Sequence, residues 1–528
     1  MMNLRFGVKQ WLFLLGTAKR MLAEDPQAFC NSVLEKTRQK IPFEKLKLGL
    51  QRIKFSRIAL EGDDEYRRGE LSRAIGLYEA SNEGRVKAKA GKRFARRVRQ
   101  QKAQLLRAID VQELGVKRPE SWDSFQYDGV VWFLNNSLPY TQSGYTYRSH
   151  SSLKALQASG IGVQAVTRLG YPVVIGSLAK SSVQSIDGVR YHRLVPPRYP
   201  ADLKTREDLT VEMLLACVRS IRPQVLHTTT DFRNAQVVSR VASETGIPWV
   251  YEVRGELENT WLSKVPEEDR GIAKESEYYL LARERETEAM KAANAVIALS
   301  NVAKGHMVDR GVDESKIFVV PNAIDGEDLS RQVDVKQIRR ELGLDVDSKW
   351  FGTVTSVVGY EGLDLAVRAL GELGNNWKLL VVGEGTDLPR LINLARDLGV
   401  ERRVVFAGRQ DNSDIWKWYA ALDVFVIPRI DSEVCRNVTP LKPLLAKAVG
   451  VPTVSSNLPA LKEVSGVGGL LFEPGNLQDF VVNIKKACAN ERLIEDARNW
   501  VQERTWQSNA RRYRNIYAYL QERNKQAY

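Results

Sequence analysis

The sequence predicts an α/β protein in which two Rossmann-like domains face a cleft, preceded by an N-terminal all-helical extension. Three observations predict it. Apolar strand-like runs alternate with helical patterns from residue 127 to about residue 500, the signature of parallel sheets covered by helices. The series restarts near Pro321, so it describes two units and not one long one. Residues 1–118 carry almost no strand-like run and hold 27 Lys and Arg against 13 Asp and Glu, whereas the remainder holds 51 of each. The whole net charge of +14 therefore belongs to the extension, and an anionic partner would meet that segment first.

A chain of 528 residues is too long for one core at roughly 100 to 200 residues per domain. Its 43% hydrophobic and 27% charged residues are those of a soluble globular protein. Cys30, Cys217, Cys435 and Cys488 are scattered with no C-x-x-C spacing, which argues against a disulfide framework and a zinc site and fits a reducing cytoplasm. The run "WLFLLG" from Trp11 is far shorter than the ~20 residues of a spanning helix, and no small-residue cleavage site follows it.

Taken in order, the extension (1–118) reads as helices. "EYRRGELSRAIGLYEAS" from Glu65 resembles one tetratricopeptide-type hairpin, but a single copy builds no solenoid. "RVKAKAGKRFARRVRQQK" from Arg85 has eight Lys and Arg between Lys87 and Lys102 beside a thin stripe of Val86, Phe94 and Val98. It reads as a solvated helix face or a helix lying on an anionic membrane surface. Nucleic acid is the weakest of the three readings, because no aromatic-rich strand pair or zinc-finger spacing accompanies it. The first Rossmann-like domain (127–320) holds the strand runs "GVVWFLNN", "GVQAVTRL", "PQVLHTTT", "PWVYEVRG" and "NAVIALS", with "KIFVVPNAID" as the crossover. The second (321–500) holds "KWFGTVTSV", "WKLLVVGEG", "RVVFAGRQ", "VFVIPR", "VPTVSSN" and "GGLLFEPGN"; residues 501–528 read as a C-terminal helix.

Ligands of such sheets lie outside the carboxyl ends of the strands, which singles out the residues there. In the first domain these are Gln142, Ser143 and Gly144 in the loop "YTQSGYTY", His227 closing "PQVLH", and Glu252, Arg254 and Glu256 in "YEVRGE". Arg254 is the leading candidate, since a cation followed by glycine at a strand end is difficult to explain as packing; an ion pair with Glu252 or Glu256 is the alternative. In the second domain, Lys442 stands in the first turn of a helix whose other residues look core-facing. A cation there opposes the helix dipole unless an anion sits beside it.

The segments "PNAID" at Pro321, "GTVTSVVGYEGLD" from Gly352, "VVGEG" from Val381, "VVFAGRQ" from Val404, "FVIPR" from Phe425, "VTPLKPLLAKAVGVPTV" from Val438 and "GGLLFEPGN" from Gly468, in this order, resemble a glycosyltransferase of the family-4 type with the GT-B fold. The resemblance covers about residues 127 to 500. It implies a nucleotide-sugar donor on the C-terminal domain, a glycan or lipid-linked acceptor on the N-terminal domain, transfer with retention by a hexosyltransferase-type enzyme, and no metal or other cofactor. Arg254, Lys442 and Glu433 would carry the chemistry. Gly359, Gly362, Gly383, Gly408, Arg409, Arg429, Asn437, Val438, Thr439 and Leu441 would surround the donor, and Gln142, Ser143, Gly144, His227 and Glu252 the acceptor. Without a metal, the charge growing on a diphosphate leaving group needs amides, a helix N-terminus and fixed cations, and this would explain Lys442. The only D-x-D, Asp345 to Asp347, reads as a solvated turn.

Two departures matter. Relatives carry a pair of glutamates where this chain has Asn437 and Leu445, and a lysine near the point where it has Tyr360 and Glu361. Leu445 cannot accept hydrogen bonds from a donor ribose, and Glu433 is the nearest replacement for the first acid. The expectation is an active enzyme of cell-surface polysaccharide or glycoconjugate synthesis, cytoplasmic or at the inner membrane face. The alternative is a catalytically degenerate GT-B scaffold.

Overall fold

The computed structural model describes residues 6–8, 10–17, 57–81, 85–110, 129–411 and 414–526. The expectations for 18–56 and 111–118, with Cys30 and the basic side chains from Arg85 to Lys89, lie outside the described residues. The chain forms two compact units: Met1–Ile297 with Arg310–Lys316 and Ile516–Tyr528, and Ala298–Asp309 with Ile317–Asn515. The sequence division at 320/321 treats each as one continuous stretch; the units are interleaved.

In the first unit, helices Arg57–Arg68 and Leu71–Ala80 meet at Gly69, and helix Arg85–Leu105 follows. Gly69 has φ +89°, and a Cβ there would lie 2.3 Å from Ser276 Oγ, so only glycine makes this turn. The extension is built into the unit: Lys102 Nζ reaches Glu277 Oε1 at 2.6 Å, and Gln236 Nε2 donates to the carbonyls of Gln104 and Arg107 at 3.0 and 2.9 Å.

The strands of the first sheet up to residue 298 are β1 (Gly129–Leu134), β2 (Gly162–Thr167), β3 (Val183–Ile186), β4 (Val189–Arg193), β5 (Val225–Thr229), β6 (Trp249–Glu252) and β7 (Ala295–Ala298). Their order is β3-β4-β2-β1-β5-β6-β7, parallel except for the β3–β4 hairpin. β1 is buried along its whole length, as a central parallel strand covered on both faces must be. The hairpin is a difference from the sequence analysis, which names no strand there. It turns on Asp187 and Gly188, with φ of 47° and 85°.

The second unit holds β8 (Ile317–Val319) and an all-parallel sheet of β9 (Lys349–Val354), β10 (Trp377–Val382), β11 (Val404–Gly408), β12 (Val424–Ile427), β13 (Thr453–Ser456) and β14 (Gly469–Phe472), ordered β11-β10-β9-β12-β13-β14. Alternate side chains feed two cores. Phe351, Leu379, Val381, Val424 and Val426 join one, and Trp350, Leu380, Val382, Phe425 and Ile427 the other. Helix Glu491–Gln502 is followed by helix Trp506–Gln526, which lies within the stretch 501–528 read as a C-terminal helix.

Candidate functional site

In the first unit a cleft of about 230 Å³ opens where β1, β5 and β6 end, lined among others by Asn135, Ser143, Tyr145, Thr230, Arg254 and Glu256. The sequence builds its walls by capping. Ser143 and Thr146 form a capping box at the start of helix Gly144–Ala158, and the Asp231 carboxylate accepts from Arg233 N to start helix Phe232–Thr245.

Behind the cleft stands Glu252, fully buried at the end of β6. Its Oε1 accepts from Arg148 Nε at 2.7 Å and Arg254 Nε at 2.9 Å, and its Oε2 pairs with His227 Nε2 at 3.1 Å. Burial pushes this carboxyl up, but the Arg254 and Arg148 guanidiniums and the His227 bond outweigh it and hold the pKa well below the usual range. Burial lowers His227, so the ring stays neutral despite Glu252. A carboxylate only accepts, so Nε2 carries the imidazole proton and Nδ1 accepts from the Tyr517 hydroxyl at 2.9 Å, which accepts in turn from Trp132 Nε1 at 3.2 Å. The result is a fixed Arg254. Its Nη1 donates to Ser149 Oγ at 2.7 Å and Tyr145 O at 3.0 Å, and its buried Nη2 has no hydrogen-bond partner among the described residues.

Of the acceptor-side residues expected from sequence, Ser143 lines this cleft together with Arg254. Gln142 and Gly144 are exposed beside it. His227 and Glu252 are corrected: both have no exposed surface, and they touch Arg254 and its neighbours instead of the cleft. Arg148, Tyr517 and Trp132 were missed. Nothing local marks Tyr517, which lies 290 residues from His227.

The second unit has its own charged cluster at the ends of β9 and β12. Glu361, buried in the turn Gly359–Glu361, accepts at Oε1 from Lys442 Nζ at 2.7 Å and Arg429 Nη2 at 3.0 Å, and at Oε2 from Arg429 Nε at 3.3 Å. Lys442 also donates to Thr355 Oγ1, and Arg429 Nη1 to Val438 O at 3.1 Å. Burial raises the Glu361 carboxyl, but Lys442 and Arg429 overcome it and hold the pKa at about 2. Burial lowers the Lys442 ammonium, against the pull of Glu361. Read from sequence, Tyr360 and Glu361 mark the loss of a cation; in the structure Glu361 is the anion that Lys442 needed. One carboxylate against two cations leaves the cluster a net positive charge.

Two donor-side glycines serve the backbone. Gly362 has φ +65°, and a Cβ there would lie 2.0 Å from Pro428 O; at Gly383, φ +136°, it would lie 1.8 Å from Thr355 O. At both positions the crowding neighbour is a backbone carbonyl. Gly359 and Gly408 have open space around them. Arg409 and Glu433 are solvent-exposed, Asn437 ends the short helix Glu433–Asn437, Val438 is exposed, and Leu441 precedes helix Lys442–Ala448. Thr439 is buried, its carbonyl accepting from Asn322 Nδ2 at 3.1 Å. Asp345 closes a turn, accepting from Ser348 Oγ and Lys378 Nζ, both at 2.7 Å. No group of three or more His, Cys, Asp or Glu able to hold a metal occurs among the described residues.

Two Rossmann-like sheets in one chain are the architecture of the GT-B class. The family of glycosyl transferases group 1 matches residues 334–505, and the glycosyl transferase 4-like domain matches residues 143–323. The chain is 26% identical over 222 residues to the lipopolysaccharide 1,6-galactosyltransferase of Escherichia coli, covering 41% of this chain and 59% of the relative. It is 28% identical over 259 residues to the D-inositol 3-phosphate glycosyltransferase of Acidothermus cellulolyticus, covering 45% and 53%. Anabaena HepE, solved in complex with UDP, shares the fold with a TM-score of 0.58 at 15% identity, over 74% of this chain and 99% of that one. The chain spans about half the length of the curated relatives it matches first. It belongs to the family-4-type glycosyltransferases of the GT-B fold.

Proposed function

We propose that the chain is an active glycosyltransferase that moves a hexosyl group from a nucleotide-sugar to a glycan or lipid-linked acceptor, with retention and without a metal. The observation that carries this reading is the net positive Lys442–Arg429–Glu361 cluster at the strand ends of the second unit, in a chain matched by both family domains. Breakage of the glycosidic bond leaves charge on a diphosphate, and Lys442 and Arg429 stabilise it as it grows. The backbone around Thr439 to Lys442, with Gly359, Gly408 and Arg409, completes the donor side. Glu433 is the acid nearest in sequence to the position of Asn437. The acceptor enters the Arg254 cleft, where hydroxyl and amide side chains match a sugar. One relative is named for lipopolysaccharide, which supports a role in cell-surface glycoconjugate synthesis on the cytoplasmic side of the membrane.

Calorimetric titration with UDP, GDP, ADP and their sugar conjugates tests it, with and without chelator and with Lys442→Ala alongside. One nucleotide binds, and the variant weakens it by about 2 kcal/mol, the scale of a charge-assisted hydrogen bond. Binding of none of them, together with no donor hydrolysis, makes the chain a scaffold instead.

A further inference from the structure

The described residues 6–8 and 10–17 are helical, with apolar side chains on two faces. One face is committed: Phe6 and Phe13 pack with Val173, Ala179 and Val195 in the first unit. Gln10 locks it, since its buried Nε2 donates to Ala179 O at 2.9 Å and its Oε1 accepts from Ala179 N at 2.7 Å. The helix therefore cannot roll. Its other face carries Val8, Trp11, Leu12 and Leu15, each more than half exposed. The spacing of three, four and seven puts them on one stripe.

We propose that this stripe inserts into the headgroup boundary of an anionic lipid bilayer and docks the first unit there. Four large apolar side chains on a fixed solvent-facing stripe are a contact surface in need of an apolar medium. Charge complementarity selects the occupant. The whole excess of 27 basic over 13 acidic residues lies in 1–118, and Arg5, Lys9, Lys19 and Arg20 flank the stripe in sequence. Elsewhere in the same unit, helix Arg85–Leu105 exposes Lys92, Arg96 and Arg97. Such a surface repels a second copy of itself and attracts anionic headgroups. Twelve residues at about 1.5 Å each give roughly 18 Å, well under the ~30 Å hydrocarbon core, so the helix lies in the interface. No helix among the described residues is long and apolar enough to cross a membrane. A bulky Trp beside aliphatic residues suits that depth.

Sedimentation of the full chain with phosphatidylcholine–phosphatidylglycerol vesicles, with phosphatidylcholine vesicles alone, and at raised salt tests the proposal beside the double variant W11E/L15E. The native chain pellets with the anionic vesicles, loses binding in salt, and the double variant binds at least about tenfold more weakly at an unchanged melting temperature. Equal pelleting of native and variant overturns the proposal, and so does failure of the native chain to pellet. A native dimer that the variant dissolves, with no vesicle binding by either, assigns the stripe to a second copy and overturns it as well. Nucleotide titration of the variant is unchanged in every case, so the result is independent of the donor site.

Discussion

Each unit keeps one buried carboxylate between two cations, yet the two clusters differ in what they leave available. In the first, Glu252 is enclosed by Arg148, Arg254 and His227, all buried, and the product of that enclosure is a single oriented guanidinium at a cleft. In the second, Glu361 holds Arg429, which is buried, and Lys442, which is partly exposed. The first arrangement is a scaffold with one outward group. In the second, a cation can change partners. A buried acid between cations is thus not one device; what matters is how much of the cation it leaves to a ligand.

The sharpest way to break this comparison is to remove each acid. Glu252→Gln leaves two buried guanidiniums without their anion, and urea denaturation should show the first unit destabilised by about 3–5 kcal/mol. Glu361→Gln should cost less stability, because Lys442 can turn to solvent, and should tighten the nucleotide by roughly tenfold, since two cations then face the diphosphate. If calorimetry instead shows weaker binding, Glu361 itself contacts the donor and the contrast between the two clusters fails.

Titration sharpens the contrast further. Burial, with Asp231 nearby, raises the Glu286 carboxyl of the first unit from 4.5 to about 8. Its contribution is complete below pH 4.5 and lost as pH rises through about 8. Burial, with Arg504 nearby, lowers the Lys447 ammonium of the second unit from 10.5 to about 7, so its contribution is complete above pH 10.5 and lost as pH falls through about 7. The stability of the two units should therefore slope in opposite directions. Glu286→Gln and Lys447→Met should each remove up to about 1.4 kcal/mol per pH unit of slope within those windows, read from denaturation midpoints at several pH values. The smallest effect belongs to Tyr517→Phe, which removes the donor to His227 Nδ1 and should cost about 1 kcal/mol.

The sheets were legible because apolar runs repeat at a fixed rhythm and end in polar residues. Arg254 and Lys442 were legible as cations where packing does not want them, and Arg429 only through the family resemblance. Their anions were not. Glu361 is 81 residues from Lys442 and 68 from Arg429, and no local pattern joins them. Glu252 was read as facing a ligand because it closes a strand, whereas two arginines from neighbouring loops and helices enclose it. The β3–β4 hairpin did have a signal: Asp187-Gly188 between alternating residues, a pair whose positive φ values suit a tight turn between twisted strands. Lys447 is bonded to the carbonyls of Ser465 and Val467, 18 and 20 residues away, under Trp500, and no local pattern marks that burial.

Tyr517 belongs to the stretch Ile516–Tyr528, which completes a unit otherwise made of residues up to 316. On the ribosome, His227 and Glu252 emerge long before the hydroxyl that His227 accepts from, 290 residues later. The first unit reaches its final form only after the second has been translated. A chimaera that exchanges it with a relative must carry residues 516–528 along, because a graft ending near residue 320 would leave His227 Nδ1 and Trp132 Nε1 without the Tyr517 hydroxyl.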